Sequence, residues 1–230
     1  MNRPRIGITT SYENDRQMLD HHYVRAIEAA GGLPLIVPVL ATPDAVAAFA
    51  ALLDGVVITG GPAITANLIG DLPADLPPTD PARVANDTAI FNAVADKPVL
   101  GICYGMQFIN AQAGGSIYAD AQALRPGTIA HSAGRGGQPH PVQFAEGSRL
   151  RDVFGVSDLV VNTYHIQAVA EVGAGLRAVG YGPDGVIEAI ESEDGRLVGV
   201  QFHPERMVEQ TRPLFEDFVR RAAQRQTERA

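Results

Sequence analysis

A single cysteine, Cys103, sits between two glycines in Gly101-Ile102-Cys103-Tyr104-Gly105, the spacing of a nucleophile elbow with sulfur in place of the serine oxygen. Apolar Pro98-Val99-Leu100 precedes it, and Phe108 to Ala113 continues as helix up to Gly114-Gly115. A sharp strand-to-helix turn needs little side-chain bulk around its strained residue, which gives both glycines a physical task. A helix starting at Tyr104 would aim its free N–H groups and positive dipole end at the sulfur, favouring the thiolate that attacks. The turn is expected to hold the sulfur in the open. The plain alternative, a cysteine acting as a small buried hydrophobe, leaves the paired glycines without a role.

A cysteine nucleophile needs a base and a group to orient that base. Val198-Gly199-Val200-Gln201-Phe202-His203-Pro204-Glu205 offers both. His203 leaves the end of an apolar strand, at the edge where open α/β sheets place their ligands. Glu205, two residues on, can fix the imidazole tautomer and support its charged form, and Pro204 stiffens the link. As isolated residues, His203 would be structural and Glu205 a solvated charge; their company with Cys103 argues otherwise.

These residues must be positioned by elements of an α/β pattern. Strands are expected at Arg5 to Thr10, Leu33 to Val39, Gly55 to Thr59 and Val99 to Cys103, the spacing of crossover units around a mostly parallel sheet. Helices fall between them: His22 to Ala30 before Gly31-Gly32, Thr42-Pro43 to Leu53, and Asp80 to Ala95. The second half predicts shorter strands at Val142 to Ala145, Asp158 to Asn162, Arg177 to Gly180, Val186 to Glu191 and Leu197 to Phe202, several antiparallel. A last amphipathic helix runs from Val208 to Gln224. Gly60 to Thr79, with four prolines, reads as a long functional loop. Arg125 to Pro141, glycine-rich with His131 and His140 near its ends, reads as a mobile cover or substrate loop.

The bulk properties narrow the chemistry. A chain of 230 residues, 46% hydrophobic and 19% charged, suits a single domain spanning residues 1–230. A net charge of −8 without a run of Lys and Arg removes the electrostatic footprint of nucleic-acid binding. No stretch approaches a membrane span, and Met1 to Arg5 is too short and polar for a signal sequence. One cysteine makes no internal disulfide, so a reducing, cytoplasmic setting is expected. The six histidines show no pair at zincin spacing, so no metal and no cofactor are implied.

The two strings around Cys103 and His203 resemble the signatures of class I glutamine amidotransferase domains. Arg5-Ile6-Gly7-Ile8-Thr9-Thr10 and Tyr23 through Pro34 resemble the start of the gamma-glutamyl-gamma-aminobutyrate hydrolase family, and Asn162-Thr163-Tyr164-His165-Ile166-Gln167 is similar to its Ser-x-His-His-Gln region. The resemblance implies a flavodoxin-like three-layer α/β sandwich, with a mostly parallel central sheet and additional antiparallel strands. It implies Cys103 as nucleophile, His203 as acid/base and Glu205 as its orienting partner. Thr59-Gly60-Gly61-Pro62 resembles the oxyanion turn, which would pair the Gly61 N–H with that of Tyr104. Gln107, Tyr164 and His165 would line the glutamyl pocket. Two positions depart from the pattern: Tyr104 stands where the hydrolases carry Arg, giving a string closer to the amidotransferase domain of GMP synthetases, and Ile166 replaces the second His.

The implied activity is hydrolysis of a small gamma-glutamyl amide through a thioester, with a homodimer as a possible assembly. The alternatives are a glutaminase subunit passing ammonia to a separate synthetase, since no nucleotide-binding loop is present, and a non-catalytic binding protein of the same fold.

Overall fold

A computed structural model of the chain describes residues 3–228, with side chains up to residue 225. Strands β1 (Arg5–Ile8), β2 (Ser11–Glu13) and β3 (Arg16–Met18) lead to helix α1 (His21–Ala29); β4 (Leu33–Ile36), α2 (Pro43–Leu52), β5 (Gly55–Ile58) and β6 (Leu68–Ile69) follow. Next come α3 (Pro81–Ala93), β7 (Val99–Ile102), α4 (Tyr104–Gln112), β8 (Ser116–Tyr118) and the short α5 (Ala121–Leu124). The second half holds β9 (His140–Phe144), α6 (Arg149–Phe154), β10 (Asp158–Val161), β11 (Ala168–Glu171), β12 (Leu176–Tyr181), β13 (Ile187–Ser192), β14 (Leu197–Val200) and α7 (Val208–Glu228).

Parallel pairing gives the order β4-β1-β5-β7-β14. Counting only these strands along the chain, that is second, first, third, fourth, fifth, the flavodoxin-like arrangement. From β14 the sheet continues antiparallel through β13, β12, β9 and β10, while β11 joins β13 to β8 and β8 pairs with β6. The expected mixed α/β sandwich is therefore the one formed.

Side-chain alternation along the strands builds a core on each face. Ile6, Ile8, Val57, Leu100, Ile102, Val198 and Val200 pack with Tyr23 and Ile27 of α1 and Leu214, Phe215 and Phe218 of α7. Val56, Ile58, Val99 and Ile190 pack on the other side with Val46 of α2, Ile90 of α3 and Phe108 and Ile109 of α4. Burying aliphatic side chains in both layers is worth about 1.5–3 kcal/mol each, which is what holds the strand ends in fixed relation.

Thr42 caps α2 as expected, its Oγ1 accepting from the Ala45 N–H, and Asp80, read from the sequence as the start of its helix, caps α3 by accepting from the Ala82 N–H; proline follows each. The predicted parallel strands overrun at their C-terminal ends, where Thr59, Cys103 and Gln201 lie just past the last residues of β5, β7 and β14. The β2–β3 hairpin, β6, β8, β11, α5 and α6 have no counterpart among the expected elements; most span too few residues for a period to show. The loop from Gly60 to Thr79 contains β6 and an Ala63–Pro78 bridge.

Candidate active site

Cys103 and His203 meet because β7 and β14 lie side by side in parallel, with Ile102 opposite Val200. One residue further, the Cys103 N–H donates to the Val200 carbonyl at 2.8 Å. The long stretch of chain between the two residues is thus reduced to one strand spacing.

The elbow is strained as its function would require. Cys103 has φ 52° and ψ −106°, between the last residue of β7 and the first of α4; holding a non-glycine residue there costs about 1–3 kcal/mol. The flanking glycines are demanded by close approach. A Cβ on Gly101 would stand 2.5 Å from the Gly105 oxygen, and one on Gly105 would stand 2.0 Å from the Ile58 oxygen. The expectation of an open sulfur needs correcting: Cys103 is only 7% exposed, because the same close approach that forms the turn packs β5 and β14 around it.

His203 is held at both ends. Its backbone N–H donates to Asn162 Oδ1 and its carbonyl accepts from Asn162 Nδ2, both at 2.8 Å. Its ring Nδ1 lies 2.7 Å from Glu205 Oε1; the carboxylate accepts, so Nδ1 donates and Nε2 is the atom left for chemistry. Glu205 is wholly buried in the short 3₁₀ turn Pro204–Arg206. Burial opposes charging of His203, but the adjacent Cys103 sulfur and the Glu205 carboxylate outweigh it and push the imidazole up to about 10.

Gln201 is a site residue that the sequence reading does not single out. It is fully buried, its Nε2 lies 3.6 Å from Cys103 Sγ, and its Oε1 accepts from Gln107 Nε2 at 3.1 Å. Gln107 also donates to the Gln167 carbonyl. Its two amide hydrogens are therefore spent inside the protein, where they orient Gln201. One signal does exist: Gln201 stands two residues before His203 on the same extended run.

Of the two expected oxyanion donors, Tyr104 directly follows Cys103 and Gly61 directly follows Gly60, which packs against the His203 ring. Tyr104 is the first residue of α4, so its N–H has no acceptor within the helix. Its side chain points away from solvent, stacked on Phe108 with the Arg83 guanidinium 4.3 Å above the ring; burial and neighbouring Asp87 raise its phenol above the ordinary range. The position that departs from the hydrolase pattern therefore offers only its backbone to the site. Arg83 donates to the Thr59 and Gly60 carbonyls and pairs with Asp87 at 3.2 Å, fixing the turn that carries Gly61. A Cβ on Gly61 would stand 2.1 Å from Arg83 Nη1, and the Gly60 N–H is taken by Tyr23 Oη at 3.0 Å. Gly60 packs against the His203 ring, where a Cβ would stand 2.7 Å from its Cε1.

Tyr164 is half exposed and meets the His203 ring edge-on, with centroids 5.8 Å apart. His165, expected beside it, turns inward: Nδ1 lies 2.9 Å from the Gln167 carbonyl and Nε2 3.3 Å from Glu188 Oε1. The segment from Arg125 to Pro141 is pinned and does not form a free cover. Ser132 bridges to Tyr164, Arg135 pairs with Asp75 and Asp120, and His131 lies 2.9 Å from Asp184. Among the described residues, His131, His140 and Glu188 bring potential metal-ligating atoms within 4.8 Å of one another. No described helix is long and apolar enough to cross a membrane.

The family model for Peptidase C26 matches residues 2–205. Gamma-glutamyl-gamma-aminobutyrate hydrolase PuuD of Escherichia coli is 31% identical over 95% of this chain and 93% of its own length. Rv2859c of Mycobacterium tuberculosis, provisionally named a glutamine amidotransferase, is 35% identical over 94% of this chain and 74% of its own length. Protein NtpR of Enterococcus hirae is 34% identical over 80% of this chain and 79% of its own. In fold, the crystal structure of a provisionally named GMP synthase subunit from Thermoplasma acidophilum superposes with a TM-score of 0.68 over the whole of both chains at 19% identity. The chain belongs to the Peptidase C26 family, a group with the class I glutamine amidotransferase fold.

Proposed function

We propose that this protein hydrolyses the gamma-glutamyl amide bond of a small gamma-glutamyl amine, with Cys103, His203 and Glu205 as its catalytic residues. The observation that carries this reading is the His203–Glu205 contact of 2.7 Å at the end of the strand paired with the strained Cys103 turn. The named activity of the Escherichia coli relative points to the same bond.

In this reading the Cys103 thiolate attacks the side-chain carbonyl carbon and a C–S bond forms. The carbonyl oxygen takes the negative charge and accepts from the Tyr104 and Gly61 N–H groups, each such donor being worth about 3 kcal/mol. Collapse breaks the C–N bond, and the amine leaves with the proton of the His203 imidazolium. Neutral His203 then takes a proton from water, which attacks the thioester. Glutamate departs, and the thiolate–imidazolium pair is restored.

Glutamate release from a panel of gamma-glutamyl amines and free glutamine tests the proposal. Turnover of the substituted amides above that of glutamine supports it. Turnover of glutamine alone, rising when a synthetase copurifies, would instead favour the ammonia-supplying reading.

A further inference from the structure

Three histidines from distant segments converge on one carboxylate oxygen. His131 Nδ1 lies 3.2 Å from Glu188 Oε1, and His140 Nε2 and His165 Nε2 each lie 3.3 Å from it. All four side chains are buried. Their partners on the far side fix the tautomers: His131 Nε2 faces Asp184 Oδ2 at 2.9 Å, His140 Nδ1 the Gln138 carbonyl at 3.3 Å, and His165 Nδ1 the Gln167 carbonyl at 2.9 Å. Each of those oxygens only accepts, so each outer ring nitrogen must donate. In a neutral ring, the inner nitrogen then carries a lone pair, and three lone pairs face a carboxylate.

Hydrogen bonding resolves this arrangement only in part: of the three inner nitrogens, His140 Nε2 alone is in a hydrogen bond with Glu188 Oε1. His131 Nδ1 and His165 Nε2 are close to Glu188 Oε1 without forming a hydrogen bond, and Glu188 Oε2 is buried without one. Protonating all three rings would gather three positive charges against Glu188 and Asp184 in a buried site. One divalent cation with three neutral imidazoles balances those two carboxylates.

A tetrahedral ion with ligand bonds of 2.0–2.1 Å sets its ligand atoms about 3.3 Å apart. The three nitrogens stand at about that distance from Glu188 Oε1, and His131, His140 and Glu188 have their ligating atoms within 4.8 Å of one another, so a bound ion would draw the nitrogens closer together. The outer hydrogen bond from an imidazole to Asp184 or a carbonyl is also the support that metal-bound histidines receive.

We propose that His131, His140, His165 and Glu188 bind one divalent transition-metal ion of the zinc type. Four protein ligands close the coordination shell, which makes the site structural. It ties the segment from Arg125 to Pro141, β9 and β13 to the segment carrying Asn162 and Tyr164, and so holds the latter segment against His203. The linear spacing of these ligands follows no metal motif, which is why the sequence implied none.

The test is metal analysis of untagged protein purified without chelator, followed by zinc titration of the chelator-dialysed protein. About one equivalent per chain is expected, with a rise in melting temperature on zinc addition. His165→Ala and Glu188→Gln, checked for native circular dichroism, should lose stoichiometric binding, and Asp184→Asn should weaken it about 10–100-fold. Cys103→Ala should retain it, and the cobalt-loaded protein should show tetrahedral ligand-field bands without thiolate charge transfer. Zinc binding that is absent from the dialysed wild type, or that is lost in Cys103→Ala and kept in His165→Ala, would overturn the proposal.

Discussion

Gln201 Nε2 stands 3.6 Å from Cys103 Sγ, and Gln107 holds the other end of the same amide at 3.1 Å. The sulfur thus has an N–H donor on the β14 side in addition to the His203 imidazole. A hydrogen bond to a charged group contributes about 1.5–3 kcal/mol, and about 1.4 kcal/mol corresponds to one pKa unit.

Replacing Gln201 with Leu should therefore raise the pH profile of Cys103 alkylation by iodoacetamide by about one unit. An unchanged profile would show that the amide does not stabilise the thiolate.

Glu205→Gln should reduce kcat by as much as about 10⁴, the cost of the carboxylate-to-amide change in a serine protease triad, but by less than His203→Ala. The imidazole remains in place after that change, though its tautomer is no longer enforced. Equal rates for wild type and Glu205→Gln would remove Glu205 from the mechanism.

The charge on His203 couples folding to pH. Its folded value, about 10, lies above the ordinary 6.5. Its contribution to stability is therefore complete below about 6.5 and is lost as pH rises through about 10. Cys103→Ala removes the sulfur that favours the charge and leaves the Glu205 carboxylate alone to oppose burial. Urea midpoints measured across this window should fall less steeply in Cys103→Ala than in wild type; identical slopes would separate His203 from Cys103.

Arg83 and Asp87 are both about 1% exposed and form a buried pair, and burial pushes Asp87 up to about 6 despite its partner. Arg83→Met should destabilise the protein by about 3–5 kcal/mol by leaving a buried carboxyl unpaired. Arg83→Met combined with Asp87→Leu should recover part of that loss in denaturant titrations. A single-variant loss under about 1 kcal/mol would mean that the pair does not hold the Gly60–Gly61 turn.

The parts legible in the sequence are those written in short contiguous strings. Gly101 to Gly105 encodes a turn whose glycines are forced by contacts of 2.0–2.5 Å, and His203 to Glu205 encodes a 2.7 Å contact across two residues. Apolar runs of strand length mark the parallel strands and hence the sheet edge where both strings end. What stays hidden depends on three-dimensional convergence. Glu188 gathers His131, His140 and His165 from segments that share no period. Asn162 reaches the His203 backbone across 41 residues. Gln107 looks like a substrate contact because one helical turn past a nucleophile is a plausible place for one, and only the position of Gln201 reveals its internal partner.

The proposed chemistry stands or falls with the Cys103 sulfur. It is tested by measuring glutamate release from gamma-glutamyl amides by Cys103→Ala, shown to be folded by its circular dichroism. No release above the uncatalysed background is predicted under conditions where the wild type turns over. Release at a rate comparable to wild type would contradict a mechanism that begins with attack by that sulfur.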